Sequence, residues 1–125
     1  MIKLVFTMRR RTDFSREEFQ KYWRENHAEL IKRHAKTLHI RRYIQVHARD
    51  TDLDEPLANS RGSRARFYDG VAELWWDSLE DLVSAFSTDA AQAAARELVE
   101  DEQRFIDLPN SPLWLGEEHV VIGSP

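Results

Sequence analysis

Tyr68-Asp69-Gly70-Val71-Ala72-Glu73-Leu74-Trp75-Trp76-Asp77-Ser78 is the stretch on which the fold turns. Val71 through Trp76 is apolar except for Glu73, and it holds half of the chain's four tryptophans. A run this apolar is expected as a central strand buried on both faces. Side chains alternate along a strand, so Val71, Glu73 and Trp75 share one face and Ala72, Leu74 and Trp76 the other. One face therefore carries an acid between a branched aliphatic and an indole. Asp77 or Ser78 then reads as the N-cap of a helix.

Upstream, residues 2–8 alternate Ile2, Leu4, Phe6 and Met8 against Lys3, Val5 and Thr7, the pattern of a half-buried strand. Ser15 with Glu18 forms a capping box, and Phe14 with Phe19 fits a hydrophobic staple, so a helix is predicted from Arg16. Its apolar stripe of Phe19, Trp23, Leu30 and Ile31 includes His27, and the helix is expected to end near Lys36 or Thr37. Residues 40–48 read as a strand with Ile44, Val46 and Ala48 towards the helices and Tyr43, Gln45 and His47 on the polar side. Residues 49–66 show no periodicity and read as an unstructured connection, a length unusual inside a compact domain. Downstream, Leu79, Leu82, Val83 and Phe86 mark a short helix, and Ser87-Thr88-Asp89 starts another that carries Ala91, Ala94, Ala95, Leu98 and Phe105. Pro109 and Pro112 stop it. A last strand is expected over residues 115–122.

This order gives an α+β fold: a ferredoxin-like βαββαβ plait with a split second helix, in a single domain over residues 1–125. The uncovered sheet face would carry Val5, Tyr43, His47, Val71, Glu73 and Trp75. Apolar groups on an open face form a patch that monomers rarely tolerate, so a two-fold homodimer with a cavity between the sheets is expected.

Composition narrows the function classes. With 42% hydrophobic and 32% charged residues the chain is an ordinary globular protein. A net charge of -4 offers no attraction to nucleic acid or an anionic membrane. There is no cysteine, which excludes disulfides, thiolate metal sites and cysteine nucleophiles. Residues 1–8 are too short and wrongly ordered in charge for a signal peptide, so a cytoplasmic location is expected. The five histidines show no zinc-site spacing, and no glycine-rich phosphate loop is present. No cofactor or metal is expected.

Several residues could carry chemistry. His27 reads either as a general acid or base or as a core histidine satisfied by one hydrogen bond. His47 and Tyr43, two steps apart on one strand, could polarise a carbonyl or could face solvent on an edge strand. Glu73 between Val71 and Trp75 is costly unless paired or protonated; the alternatives are a general acid of raised pKa or a salt bridge with a cation such as Lys3. Arg9-Arg10-Arg11 reads as a solvated turn or a carboxylate-binding site. His34 and His39 read as surface or helix-end residues, and the face of His119 is open.

Phe19-Gln20-Lys21-Tyr22-Trp23-Arg24-Glu25-Asn26-His27-Ala28, Arg41-Arg42-Tyr43-Ile44-Gln45, Asp69 through Ser78, Glu102-Gln103-Arg104-Phe105-Ile106-Asp107 and Glu117-Glu118-His119-Val120-Val121 together resemble the EthD-like family, in order and spacing over nearly the full length. The resemblance implies a dimeric α+β barrel. Such proteins include one associated with fuel-ether degradation, fungal decarboxylases and dehydratases of aromatic polyketides, and a methylmuconolactone isomerase. Polyketide cyclases, cofactor-free monooxygenases and haem-binding enzymes are neighbours in the superfamily. What this implies for function is a small aromatic or lactone-type metabolite as partner and a cofactor-independent lyase or isomerase. His27, His47, Glu73 and Tyr43 would then be catalytic, with Trp23, Trp75, Val5 and Val71 as substrate-binding walls. The alternatives are a non-catalytic accessory binding protein of a degradation pathway and a cofactor-free monooxygenase.

Overall fold

A computed structural model of the chain describes residues 1–64 and 67–124. Strands β1 (Ile2–Met8), β2 (Arg42–His47), β3 (Gly70–Trp76) and β4 (Leu113–Glu117) form one antiparallel sheet in the order β2-β3-β1-β4. The helices are α1 (Arg16–Tyr22), α2 (Ala28–His34), α3 (Asp54–Asn59), α4 (Leu79–Ala85) and α5 (Asp89–Phe105). This is the expected α+β ferredoxin-like plait. Phe6, Met8, Ala72, Leu74 and Trp76 point from the sheet into a core closed by Phe19 and Trp23 before α2 and by Phe105 of α5.

The caps form as the sequence dictates. Ser15 accepts from the Glu18 amide at 3.1 Å and Glu18 accepts from the Ser15 amide at 2.9 Å. Ser78 and Thr88 cap α4 and α5 by accepting from the Asp81 and Ala91 amides, at 3.0 and 3.1 Å. Between α1 and α2 the helix widens into a π-turn, Trp23–His27, in which the Ala28 amide donates to the Trp23 carbonyl. The turn buries its two ends, Trp23 and His27, and exposes Arg24, Glu25 and Asn26 between them. π-turns inside helices frequently mark functional sites.

Several expectations are corrected. The phase of β2 is the reverse of the predicted one. Tyr43 pairs with Leu74, Gln45 with Ala72 and His47 with Gly70, so these three face the helices, while Ile44 and Val46 lie opposite Glu73 and Val71 on the uncovered face. Alternation fixes which residues share a face but not which face is covered, and here the covered face is the one with hydrogen-bond partners for Tyr43, Gln45 and His47. Residues 49–66 are not structureless: α3 forms there, with Pro56 in its first turn, where a missing amide proton costs nothing. The part of that connection at residues 65–66 lies outside the described residues. β4 begins and ends earlier than expected, and residues 118–124 carry no strand. The first helix ends at His34 and is divided by the π-turn.

The uncovered face holds Val5, Val71, Glu73 and Trp75 with Ile44, Val46 and Trp114. Trp75 is nonetheless only 3% exposed. Its ring lies between Lys3 Nζ at 4.7 Å and the Arg42 guanidinium at 4.9 Å, and its Nε1 donates to Glu118 at 2.9 Å. Lys3 also pairs with Glu73 at 3.2 Å. The arginine run serves structure: Arg10 pairs with the buried Asp69 at 2.7 Å, Arg11 with Asp13 at 3.0 Å, and Arg9 covers the Phe67 ring at 3.4 Å.

Gly70 lies directly under Trp23. A Cβ there would stand 2.6 Å from Cζ3 of the indole and 2.9 Å from the Val46 carbonyl oxygen. Trp23 is fully buried, so neither neighbour can yield. Gly70→Ala is expected to cost about 1–3 kcal/mol, as overpacking typically does, and to displace the Trp23 ring; thermal melts with near-ultraviolet circular dichroism read both effects.

Candidate functional site

A cavity of about 260 Å³ lies between the helices and the covered sheet face. Its walls are mostly aliphatic and aromatic, with Leu4, Leu74, Leu98, Ile106 and the rings of Trp23 and Trp76 among them, and its polar members are His27, Tyr43 and Glu102. Pockets of this chemistry, apolar with a few convergent polar groups, are the usual form of small-molecule sites. A larger depression of about 750 Å³ beside Arg11, Asp13 and Asp107 is open to solvent, and its Arg11 and Asp13 pair with each other.

His27 is brought to the cavity wall by the π-turn and is 4% exposed. Its Nδ1 lies 2.7 Å from Asp101 Oδ2. Tyr22 donates its hydroxyl to Asp101 Oδ1 at 2.5 Å, and Arg104 donates to the same oxygen at 2.9 Å. Burial alone would raise the Asp101 pKa, but the bonds from Tyr22, His27 and Arg104 hold it below the ordinary carboxylate value. An ionised Asp101 can only accept, so His27 carries its proton on Nδ1 and presents the Nε2 lone pair. Burial lowers the His27 pKa below 6.5, with Asp101 opposing, so the ring is neutral at pH 7.

Glu102 is the next residue along α5 and faces the other way, into the cavity. Its Oε2 stands 3.9 Å from His27 Nε2, beyond hydrogen-bonding distance. Burial, with the Asp101 charge adding to it, pushes its pKa up to about 7. Adjacent carboxyls thus hold opposite roles, one a fixed anion and one poised to exchange a proton near neutrality.

On the sheet side, Tyr43 reaches the cavity from β2. Its oxygen accepts from Trp23 Nε1 at 3.1 Å and from Gln45 Nε2 at 2.9 Å. Burial raises its pKa to about 12, although these two donors work against the rise. Gln45 Nε2 also donates to the Trp23 carbonyl at 3.0 Å, and Gln45 Oε1 lies 2.7 Å from His47 Nε2. Among the described residues no group of three or more His, Asp or Glu could hold a metal ion.

The residues expected to form one site are divided between two faces. His27, Tyr43 and Trp23 meet at the cavity. His47 stacks behind Trp23, with ring centroids 4.3 Å apart, and is not in the cavity wall. Glu73, Trp75, Val5 and Val71 lie on the opposite face, where Glu73 meets Lys3 instead of His27. His34 pairs with Glu97, His39 with Asp81, and His119 is exposed beyond β4, 3.8 Å from Glu117. Sequence reasoning missed Asp101, Glu102, Tyr22 and Arg104. A signal existed: Asp101 and Glu102 fall three and four residues after Leu98 and just before Phe105, so they interrupt the apolar stripe of α5 where acids are costly.

The raised pKa of Glu102 makes stability depend on pH. Its folded value of about 7 exceeds the ordinary 4.5, so its contribution is fully present below 4.5 and is lost as pH rises to 7. A shift of this size amounts to about 3 kcal/mol. Glu102→Gln should match the wild type near pH 4.5 and exceed it in stability at pH 8, with the difference opening between those values. Urea unfolding at both pH values checks this; an equal gap at both would mean that Glu102 sits in water.

No curated protein matches the sequence. In structure the chain is similar to an ethyl tert-butyl ether D (EthD) family protein from Bacillus halodurans, at 20% identity and a TM-score of 0.63, covering 95% of this chain and 99% of that one. It is also similar to a dimeric protein of unknown function and ferredoxin-like fold from Bacteroides fragilis, at 13% identity and a TM-score of 0.58, covering 94% and 95%. SnoaB, a cofactor-independent oxygenase from Streptomyces nogalater, is similar at 13% identity and a TM-score of 0.56, covering 98% and 97%. Residues 11–109 match the family described as EthD domain, a span that includes His27, Tyr43, Asp101 and Glu102, and the chain therefore belongs to the EthD family.

Proposed function

We propose that this protein binds a small apolar metabolite, aromatic or lactone-type, in the cavity and catalyses a cofactor-independent proton transfer on it, as a lyase or isomerase. The observation that carries this reading is the juxtaposition of neutral His27, anchored by Asp101, with the protonatable Glu102 3.9 Å away on the wall of the same apolar cavity. His27 Nε2 removes a proton from the substrate, and the imidazolium formed is stabilised by Asp101. Glu102 delivers a proton to a second substrate atom, and solvent exchange restores both groups. The apolar wall keeps water from the carbanion or enolate between these steps. At about 260 Å³ the space suits a molecule of one or two rings, since pockets for drug-sized ligands run from roughly 300 Å³ upwards. His47 and Glu73, expected from sequence as catalytic, have no part in this reading.

The chain acts as a homodimer in this proposal, paired through the uncovered sheet face. Val46 and Trp114 there are 49% and 51% exposed, and apolar side chains clustered on one face favour a partner. The Bacteroides fragilis relative is described as dimeric. Light scattering is expected to give twice the chain mass for the wild type and the single mass for a Val46→Asp, Trp114→Asp double variant.

A second reading is oxygenation without a cofactor, favoured by the description of SnoaB as a cofactor-independent oxygenase. Oxygen uptake with a dihydroxyaromatic compound would support it over the lyase reading. No helix among the described residues is long and apolar enough to cross a membrane.

The test is deuterium incorporation from heavy water into a panel of small aromatic and lactone compounds. Exchange should require neutral His27 and protonated Glu102, so its rate rises as His27 loses its proton, below pH 6.5, and falls above about pH 7. His27→Gln and Glu102→Gln should each slow it by about 10²–10⁴, the usual worth of one acid–base group. Unchanged exchange in both variants would end the assignment; binding without any exchange would make this an accessory binding protein.

A further inference from the structure

We propose that the cavity recognises a neutral carbonyl compound, whose oxygen accepts the hydroxyl proton of Tyr43, and that Gln45 is the positioning residue that forces Tyr43 to donate. This rests on the reading of the cavity as the ligand site and adds the chemical class of the ligand.

The direction of every hydrogen bond in this cluster follows from one backbone carbonyl. The Trp23 carbonyl accepts the Ala28 amide across the π-turn and also faces the Gln45 side chain at 3.0 Å. A carbonyl cannot donate, so the Gln45 amide nitrogen lies on that side. Its two protons go to the Trp23 carbonyl and to the Tyr43 oxygen. Gln45 Oε1 must then accept, which places the His47 proton on Nε2. Indole nitrogen is a donor only, so Trp23 Nε1 also donates to Tyr43. With both acceptor positions of the phenol oxygen taken, the hydroxyl proton is all that Tyr43 has left to offer. Among the described residues no hydrogen bond takes that proton, while Tyr43 lines the cavity. The phenol stays protonated well beyond neutrality.

A ligand oxygen at this point must therefore accept. An alcohol can do so but brings a proton of its own into an apolar wall, whereas a carbonyl strands nothing. A carboxylate fits poorly: the residues lining the cavity include neither lysine nor arginine, and Glu102 is one of them. The remaining class is the uncharged ketone, lactone or quinone. A carbonyl held here is polarised, which acidifies the adjoining C–H towards His27.

Indanone, indanol and indane share one ring skeleton and differ at one oxygen, so they serve as probes for the full-length protein. Ligand-observed NMR titration is expected to give affinity for indanone about tenfold above indane, with indanol between them, as one well-formed hydrogen bond allows. The infrared carbonyl stretch of bound indanone should lie below its value in an alkane solvent. Tyr43→Phe should abolish both the preference and the infrared shift while leaving indane affinity within about twofold, since the apolar wall is kept. Gln45→Glu, whose carboxylate captures the Tyr43 proton, should do the same with the phenol still present. Equal affinity for the three probes, no binding of any of them, or an infrared shift that survives Tyr43→Phe would overturn the proposal. Should Tyr43→Phe not fold, the wild-type infrared shift together with Gln45→Glu decides. The titrations are repeated in His27→Gln: selectivity that persists there upholds carbonyl recognition even where proton transfer at His27 has failed.

Discussion

A carboxylate sealed among helices is costly unless its oxygens are satisfied, and Asp101 is satisfied three times over, by Tyr22, His27 and Arg104. Those donors come from α1, from the π-turn and from α5 itself, so one buried anion ties the first helical segment to the last helix above the sheet. The same anion sets the tautomer of His27 and adds to the burial that raises the pKa of Glu102 beside it. Remove the charge, and the imidazole loses its orientation while Glu102 loses part of the field that keeps it protonated.

The π-turn is the second device on which the cavity depends. In a regular helix the Ala28 amide would bond one residue closer, and Trp23 and His27 would not sit as they do at opposite ends of a widened turn. Here the turn sends the Trp23 indole over Gly70 and the His27 ring towards Asp101. It also presents the Trp23 carbonyl to the Gln45 amide, and from that contact the polarity of the whole β2 cluster follows. Helix and sheet thus contribute different walls of one cavity, with the His27 imidazole on the helix side and the Tyr43 phenol on the sheet side.

The two faces of the sheet solve different problems. On the covered face, polar atoms are few: Gln45 and the Trp23 indole bond within one cluster, while His47 Nδ1 is buried without a partner. On the uncovered face, Trp75 is shielded by the cationic side chains of Lys3 and Arg42 rather than by a helix, and Glu73 neutralises Lys3. Cations over an indole face are favourable, so a large aromatic is kept from water by charged side chains.

The sequence by itself determined the βαββαβ order apart from α3, the capping box at Ser15, the starts of both halves of the split second helix, and the family. These are local, set by hydrogen bonds and periodicities within a few residues. It also marked His27, Tyr43 and Trp23 as candidates. Which face of β2 is covered was settled only by the pairing register of Tyr43 with Leu74, because alternation looks identical from either side. Glu73 was legible as a misplaced acid with a salt bridge to Lys3 as one of two alternatives, and the pairing of β1 with β3 decided for the salt bridge. Asp101 and Glu102 lay unread in an apolar stripe, since their meaning depends on a histidine more than 70 residues away. Only packing α5 against the π-turn creates the low-dielectric space in which neighbouring carboxyls shift to opposite sides of the ordinary carboxylate pKa.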